Sequence, residues 1–289
     1  MLHINMRKII ISLMLSAFFV LPAQAFEVSP VKMLVTGDPG NNYTVVLKVK
    51  NTDMVSMMFD ANVFGMKQNE SGAPVFERGI SEAESWVFPE NRQVSVEAGE
   101  TKSINFFIKI PKDSLPGSYY LGLSAEPTVK RQAGSVSGRL VSLLTLQVSG
   151  EVRELLRINQ WKKKSDSGVN NWKFALELEN IGTVEVPLRG EISVRNFFGQ
   201  EIISEPAALG NKLLANAKRS LGQELQVQEK VKIPGLYQVN MRVVYGKLGL
   251  SVSRTEYVWF IPFWSKIAIG GLGLLVLVLV VRKKMKLKT

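Results

Sequence analysis

The sequence contains no cysteine, and its single histidine, His3, lies near the N-terminus. Without thiols the chain cannot form disulfides, Cys-His dyads or thiolate zinc sites. Without a histidine in the body of the chain it also lacks the general base of a Ser-His-Asp triad. We therefore expect no catalytic, cofactor-binding or metal-binding residues and no small-molecule substrate, and a fold that depends on its hydrophobic core.

Nucleotide and calcium motifs are also absent, since no G-x-x-x-x-G-K-[ST], no G-x-G-x-x-G after a strand and no D-x-[DN]-x-[DN]-G loop occurs. One carboxylate pair, Glu82 and Glu84 in "SEAESWVF", stands next to Trp86, which could stack on a sugar ring. Such acids are usually solvated loop residues. An enzyme that acts on a wall polymer therefore ranks last among the functions considered below.

The positive charge is concentrated at the two ends of the chain. The net charge is +11, but two of the charges belong to Arg7 and Lys8 and six to Lys266 and the C-terminal tail, so residues 26–257 keep only +3. In that body the basic residues alternate with acids and form no long run. This distribution argues against binding to nucleic acid.

The N-terminus has the pattern of a secretory signal peptide. Arg7 and Lys8 precede an apolar run, and Pro22 and the small residues Ala23 and Ala25 follow it. The run is short for a bilayer span and an A-x-A cleavage site comes directly after it. We expect residues 1–25 to be removed.

The C-terminal region predicts a transmembrane helix over residues 258–281, followed by a basic cytoplasmic tail over residues 282–289. A hydrocarbon core of about 30 Å needs about 20 apolar helical residues, and this stretch supplies them. Aromatic residues precede the apolar run and basic residues follow it, so the positive-inside rule leaves the tail in the cytoplasm and the body outside, at the cell surface or in the periplasm. The predicted membrane-anchoring residues are Trp259, Trp264, Lys266, Arg282, Lys283 and Lys284.

Short alternating segments separated by Gly, Pro, Asn and Asp fill the body of the chain. The segments "TVVLKVKN", "FDANVFGM" and "GSYYLGLSAEP" have the period of two that is typical of half-buried strands. The one stretch with a possible helical period is Leu209 to Leu225, "LGNKLLANAKRSLGQEL". The pattern predicts an all-β fold of antiparallel Ig-like sandwiches.

Two halves of the body repeat the same plan. "YTVVLKVKNTDMV" (Tyr43 to Val55) matches "WKFALELENIGTV" (Trp172 to Val184), and each half later has Pro-Gly-x-Tyr before a strand. Asn at a strand end can bond to its own backbone, and the Tyr hydroxyl can reach a backbone partner at a sandwich corner. We expect two tandem sandwich domains, over residues 26–158 and 159–257.

The segment Asn69 to Glu90 reads as a long irregular connection between strands. Binding residues often lie on such connections, so Trp86 is the candidate contact with a partner. The alternative for Trp86 is a place in the core, and we expect Phe88 to be buried there.

These residues carry a resemblance to a known family. "FEVSPVKMLV", "VSVEAGETKSINFFIKIPKDSLPGSYYLGLSAEP" and "SLLTLQVSGEVRELLRI" resemble the first domain of the WxL-interacting surface proteins of Gram-positive bacteria. The second half, with its membrane helix and basic tail, resembles the second Ig-like domain and anchor of those proteins. More distantly, both halves resemble the sandwich domains of pilus chaperones.

The resemblance implies a membrane-anchored, non-catalytic binding or scaffold protein. Its partners would be an extracytoplasmic surface protein or peptidoglycan, together with the lipid bilayer. The alternative is a chaperone-like assembly factor for secreted or pilus-type subunits, which would pair a strand with its client. Pilus chaperones use a basic pair in a cleft, and no such pair can be assigned in this sequence.

Overall fold

A computed structural model describes residues 26–128, 139–228 and 230–286, with side-chain positions as far as Val280. The predicted signal peptide, with Ala23 and Ala25, lies outside the described residues. The described chain consists mostly of antiparallel strands, with one long helix after the last strand. The predicted fold class, two Ig-like sandwiches followed by an apolar helix, is confirmed.

Strands β1 to β10 form the two sheets of the first sandwich. The sheet orders are β1-β3-β8-β6 and β2-β10-β9-β4-β5, with β7 also pairing with β4. The strands are β1 Phe26–Ser29, β2 Lys32–Gly37, β3 Asn42–Asn51, β4 Met57–Gln68, β5 Pro74–Glu77, β6 Val87–Pro89, β7 Gln93–Val96, β8 Thr101–Lys109, β9 Gly117–Pro127 and β10 Leu140–Val148.

Strands β11 to β18 form the second sandwich, with sheet orders β11-β12-β16 and β14-β13-β17-β18, and β15 pairs with β13. The strands are β11 Leu156–Lys163, β12 Asn171–Asn180, β13 Val186–Arg195, β14 Glu201–Ala207, β15 Lys212–Leu213, β16 Lys218–Gln226, β17 Gly235–Tyr245 and β18 Leu250–Phe260. Leu209 to Leu225 is therefore not helical, and it supplies β15 and β16 instead.

The chain divides into two compact units, and each unit is made of segments that are not contiguous in sequence. The segments Met66–Ile80 and Ser114–Tyr119 group with the second unit, and the rest of residues 26–146 that the structure describes forms the first. The predicted boundary between residues 158 and 159 stays a prediction.

The alternation of β12 shows how the sequence specifies a sandwich strand. Every second residue from Trp172 to Asn180 is buried, and the residues between them are half-buried. The side chain of Phe174 stacks on Trp161 with ring centroids 4.5 Å apart. The indole Nε1 of Trp161 donates to the Val239 carbonyl at 3.0 Å, which joins β11 to the opposite sheet. Burial of these large rings stabilises the core, and the buried indole N–H keeps a partner.

The two Asn residues of the repeated motif play the same part in their own units. Both are fully buried. The amide nitrogen of Asn51 donates to the carbonyls of Val55 at 2.7 Å and Val96 at 3.0 Å, and its oxygen accepts from the Asp53 N–H. Asn51 therefore closes the turn after its strand, as the sequence predicted.

In the second unit, Asn180 donates to the carbonyls of Val184 at 2.8 Å, Leu213 at 3.1 Å and Leu214 at 3.0 Å. Its side-chain oxygen accepts from the Gly182 N–H at 2.9 Å. The amide thus satisfies backbone groups that would otherwise be buried without partners.

The Pro-Gly-x-Tyr motif is also a repeated structure. The hydroxyl of Tyr119 donates to the Leu115 carbonyl at 2.9 Å, and that of Tyr237 donates to the Ile233 carbonyl at 2.7 Å. In both cases the acceptor lies four residues before the tyrosine. The predicted hydrogen bond from the tyrosine to the backbone is confirmed.

Helix α1 spans Phe263–Lys286, and its first 18 residues are apolar enough to cross a membrane. The predicted segment began at residue 258, but residues 258–260 belong to β18, where they pair with β17. Alternation and this pairing hold them in the sheet, and Pro262 marks the change to helix. The hydroxyl and the N–H of Ser265 both donate to the Pro262 carbonyl, which closes the first turn.

Candidate binding surfaces

The structure exposes Phe88, which was expected in the core, and buries most of Trp86, for which both alternatives were open. A short 3-10 helix, Glu82–Trp86, lies in the connection that the sequence predicted to be irregular. Trp86 is only 8% exposed, whereas Phe88 is 38% exposed. The assignment of Phe88 to the core is therefore wrong. Trp86 as a partner contact stays a prediction, although little of its surface is available.

Glu84, one of the two acids beside Trp86, has a structural contact. Its carboxylate accepts from the backbone N–H of Ser81 at 3.0 Å, at the start of the 3-10 helix. A carboxylate in this position satisfies an end group of the helix. Glu82 and Glu84 thus belong to the first turn of a short helix rather than to an extended loop.

A surface groove lies on the first unit, beside the exposed ring of Phe88. Its volume is about 480 Å³, and it is lined by Asn42, Tyr43, Thr44, Phe88, Phe107, Ile108 and Lys109. The rings of Phe88 and Phe107 have centroids 5.9 Å apart. The Lys109 Nζ lies 5.1 Å from the centroid of the Phe88 ring. The groove therefore combines aromatic surface with polar groups at its rim, which suits a polar ligand with an apolar face.

The β2 strand forms an edge of the larger sheet in the first sandwich. Among the described strands, β10 is its neighbour in the sheet order. Val31, just before the strand, and Leu34 within it are each 68% exposed. An edge strand presents backbone N–H and C=O groups that another strand can pair with.

Two other edge strands of the described chain carry residues that discourage pairing. β14 contains Pro206 and Glu205, and β6 contains Pro89. β2 reads "KMLVTG" and has neither a proline nor an acid, as is also true of β7 and β11, and its one charged residue is Lys32 at its first position. The exposed Leu34 distinguishes β2 from β7 and β11, and an exposed apolar side chain on a sheet edge is typical of a site that receives an extended polypeptide.

The sequence alone does not reveal this edge. Its signal was present as "VKMLV", an apolar run with one lysine, directly after Pro30. Alternation identifies a strand, but it does not tell which strands have a neighbour on one side only. Sheet order was needed to separate an edge from a central strand.

Three of the six predicted membrane-anchoring residues lie near the end of β18 and the start of α1. Trp259 on β18 is 69% exposed and Trp264 in the first turn of α1 is 57% exposed. Lys266, two residues further on, is also exposed. Arg282, Lys283 and Lys284 lie in the last turns of α1, beyond the described side chains. Their contact with lipid stays a prediction.

Two buried polar groups of the second unit have shifted pKa values. Burial raises the pKa of Tyr237, and its hydrogen bond to Ile233 opposes that shift. Burial lowers the pKa of the Arg219 guanidinium, which donates to the carbonyls of Leu209 at 2.7 Å and Lys212 at 2.8 Å. These contacts hold the loop before β16 and have a structural purpose.

Among the described residues, no group of three or more His, Cys, Asp or Glu side chains could hold a metal ion. No family model matches the sequence, and no curated protein matches it significantly.

Solved structures with a similar fold include pilus chaperones. The class 5 fimbriae chaperone CfaA is 11% identical, with a TM-score of 0.46 over 82% of this chain and 100% of that one. The CsuC-CsuE chaperone-tip adhesion subunit complex of Acinetobacter baumannii is 15% identical, with a TM-score of 0.40 over 68% of this chain and 90% of that one.

The CupB2 chaperone of Pseudomonas aeruginosa is 10% identical, with a TM-score of 0.35 over 80% of this chain and 100% of that one. At scores this low the similarities do not indicate a function.

Proposed function

We propose that this chain is a membrane-anchored, non-catalytic protein whose body lies outside the cytoplasm and binds an extended segment of another secreted polypeptide, as an assembly chaperone would. The observation that carries the proposal is the edge strand β2. The exposed Leu34 within it, the exposed Val31 just before it and the absence of proline and acid suit pairing with a strand of a second chain.

Two features of the sequence support the location outside the cytoplasm. The predicted signal peptide directs the body across the membrane, and the basic residues after α1 favour a cytoplasmic tail. Helix α1 is long and apolar enough to be the anchor. A tethered binder of this kind would hold its client at the membrane surface.

Peptide selection on the full-length protein in lipid nanodiscs tests this proposal. Extended peptides with alternating apolar residues are selected, and the best one is labelled for polarisation measurements. If strand pairing gives the affinity, N-methylation of alternate peptide amides removes binding, because it removes the backbone donors. Burial of one leucine side chain is worth roughly 1.5–3 kcal/mol, so Leu34→Lys should weaken binding by about tenfold or more.

Leu248→Lys is the matched control, because Leu248 is 84% exposed in the turn between β17 and β18 of the second unit. The control should bind the peptide as the unaltered protein does. Equal binding by the N-methylated peptide, or equal losses in the two variants, would show that β2 is not the site.

A second candidate function is binding of a surface protein or of peptidoglycan, as the resemblance to WxL-interacting proteins implies. The groove beside Phe88 favours it, since an exposed ring with polar groups at its rim suits a sugar polymer. Sedimentation with isolated peptidoglycan tests it. Phe88→Ser should abolish co-sedimentation, whereas Leu248→Ser should not; no co-sedimentation of the unaltered protein would exclude it.

A further inference from the structure

One end of the second unit carries a cluster of exposed apolar residues beside the start of α1. Strand β13 ends at Arg195, opposite Gln238 near the start of β17, and Gln238 in turn pairs with Tyr257 near the end of β18. The turn after β13, the start of β17 and the end of β18 therefore lie at the same end of the sheet. Helix α1 begins at Phe263, just after β18.

The turn between β13 and β14 presents two phenylalanines at this end. Phe197 is 60% exposed and Phe198 is 75% exposed, and their ring centroids are 3.8 Å apart. Phe197 also lies beside Gly235, since its Cδ1 is 3.6 Å from the position that a Cβ would occupy there. Gly235 pairs directly with Phe260, the last residue of β18. The phenylalanine turn is thus level with the last residues before α1.

The turn is held in one conformation by hydrogen bonds. The side-chain oxygen of Asn196 accepts from the N–H groups of Phe198 at 3.1 Å and Gln200 at 3.0 Å. The Gly199 N–H donates to the Asn196 carbonyl at 2.9 Å, and Gly199 has a φ of 81°, which favours glycine. Two large rings exposed side by side on an ordered turn are typical of an interaction site.

Further apolar and basic residues lie at the same end of the second unit as the turn. Ile233 and Val169 are 60% and 57% exposed, and they lie in the loops before β17 and β12. The ring of Trp172, at the start of β12, lies 6.2 Å from that of Phe260, so the Val169 loop is at the same end. Exposed lysines flank these loops, at Lys162, Lys164 and Lys232. Apolar side chains among lysines suit the boundary between lipid headgroups and acyl chains.

We propose that the turn with Phe197 and Phe198, together with Ile233, dips into the interface of the bilayer that α1 crosses. The inference rests on the proposed membrane span of α1. The chain from Phe260 to Phe263 can extend by only about 10 Å, so the headgroup layer at the start of α1 lies within reach of the turn. The second unit then has two attachments to the membrane, the helix and the turn, which restrict its tilt.

Fluorescent labels on single cysteines test this inference, because the chain has no cysteine of its own. The full-length protein is reconstituted in vesicles of phosphatidylethanolamine and phosphatidylglycerol with a headgroup nitroxide lipid. An NBD label at Gln200→Cys keeps both phenylalanines and reports on the turn. Leu248→Cys reports on the opposite end of the sheet, and Leu275→Cys reports on α1 with an acyl-chain nitroxide.

We expect headgroup nitroxide to quench the label at residue 200 and its emission to shift to the blue, with neither effect at residue 248. Phe197→Ser combined with Phe198→Ser should abolish both effects at residue 200. If the labels at residues 200 and 248 behave alike while the label at residue 275 is quenched, the inference fails and the anchor stands.

If the label at residue 275 is not quenched by the acyl-chain nitroxide, α1 does not span the bilayer, and the anchor proposal fails with the inference. A third outcome is that the label at residue 200 is shielded from iodide in detergent micelles as well as in vesicles, while the headgroup nitroxide does not quench it. In that case a protein partner or a second copy covers the turn. That result would also overturn the inference.

Discussion

The side-chain amide of Asn180 donates a hydrogen bond of 3.1 Å to the carbonyl of Leu213, which lies 33 residues later in the chain. Asn51 makes the corresponding bond to Val96 in the first unit, at 3.0 Å. In each unit a buried amide at a strand end thus fixes a distant segment as well as its own turn. The sequence repeat therefore marks an element of stability rather than a binding site.

Loss of the Asn180 amide should destabilise the second unit strongly. Asn180→Ala removes the donor to the carbonyls of Val184, Leu213 and Leu214 and leaves buried acceptors without partners. We expect the free energy of unfolding to fall by about 3 kcal/mol. Urea unfolding followed by tryptophan fluorescence measures the change. Asn211→Ala, at an exposed position, is the control, and an equal effect in both variants would refute the assigned role.

Because of the Tyr237 hydroxyl, the free energy of unfolding should fall as the pH rises into the alkaline range. Burial raises its pKa above the ordinary value of about 10, so the unfolded chain releases this proton at a lower pH than the folded chain does. The tyrosine therefore favours unfolding progressively as the pH rises above about 10, and it has no such effect below that value.

Tyr237→Phe removes this titration together with the hydrogen bond to Ile233. We expect the variant to lose about 1 kcal/mol at neutral pH and to lose less additional stability than the unaltered protein above pH about 10. Tyr257→Phe, at a residue 59% exposed, is the control. Parallel stability curves for Tyr237→Phe and the unaltered protein would contradict the prediction.

The guanidinium of Arg219 should not be replaceable by an ammonium group. Its two terminal nitrogens donate to different carbonyls, those of Leu209 and Lys212, and its side chain is buried. A lysine lacks this fork, so Arg219→Lys should cost about 2 kcal/mol. Arg242→Lys changes an exposed residue of β17 and should cost almost nothing in the same unfolding experiment.

The repeated motifs allowed much of the fold to be predicted because each motif acts locally. Alternation over Trp172 to Asn180 specified a strand, and Asn180 and Tyr237 each have one backbone partner that is only four residues away, Val184 and Ile233. The apolar run after Phe263 specified a long helix by length alone. These features need no knowledge of distant contacts.

The features that were missed depend on tertiary packing. Leu209, Leu213, Leu214 and Ala217 have a spacing that also suits a helix, but Asn216 takes a φ of 56°, which a helix cannot contain. The start of α1 was misplaced because pairing with β17 holds residues 258–260 in the sheet. Phe88 and Leu34 are exposed on strands, β6 and β2, that lie at the edges of their sheets, and the sequence does not tell which strands lie at an edge.

The orientation of the chain across the membrane has a direct test. Leu248→Cys lies in the body and Lys288→Cys in the tail. A membrane-impermeant maleimide should label the first variant in intact spheroplasts and the second only after permeabilisation. The reverse pattern would place the body in the cytoplasm, where the proposed client could not be reached.

Hydrogen exchange at β2 tests the central claim most directly. The full-length protein in nanodiscs is measured with and without a selected extended peptide, and exchange is followed for the amides of residues 31–36. The account predicts that the peptide slows exchange in this segment, because its backbone groups become paired, and that Leu34→Lys removes the effect. A peptide that binds tightly while exchange at β2 stays unchanged would contradict the account.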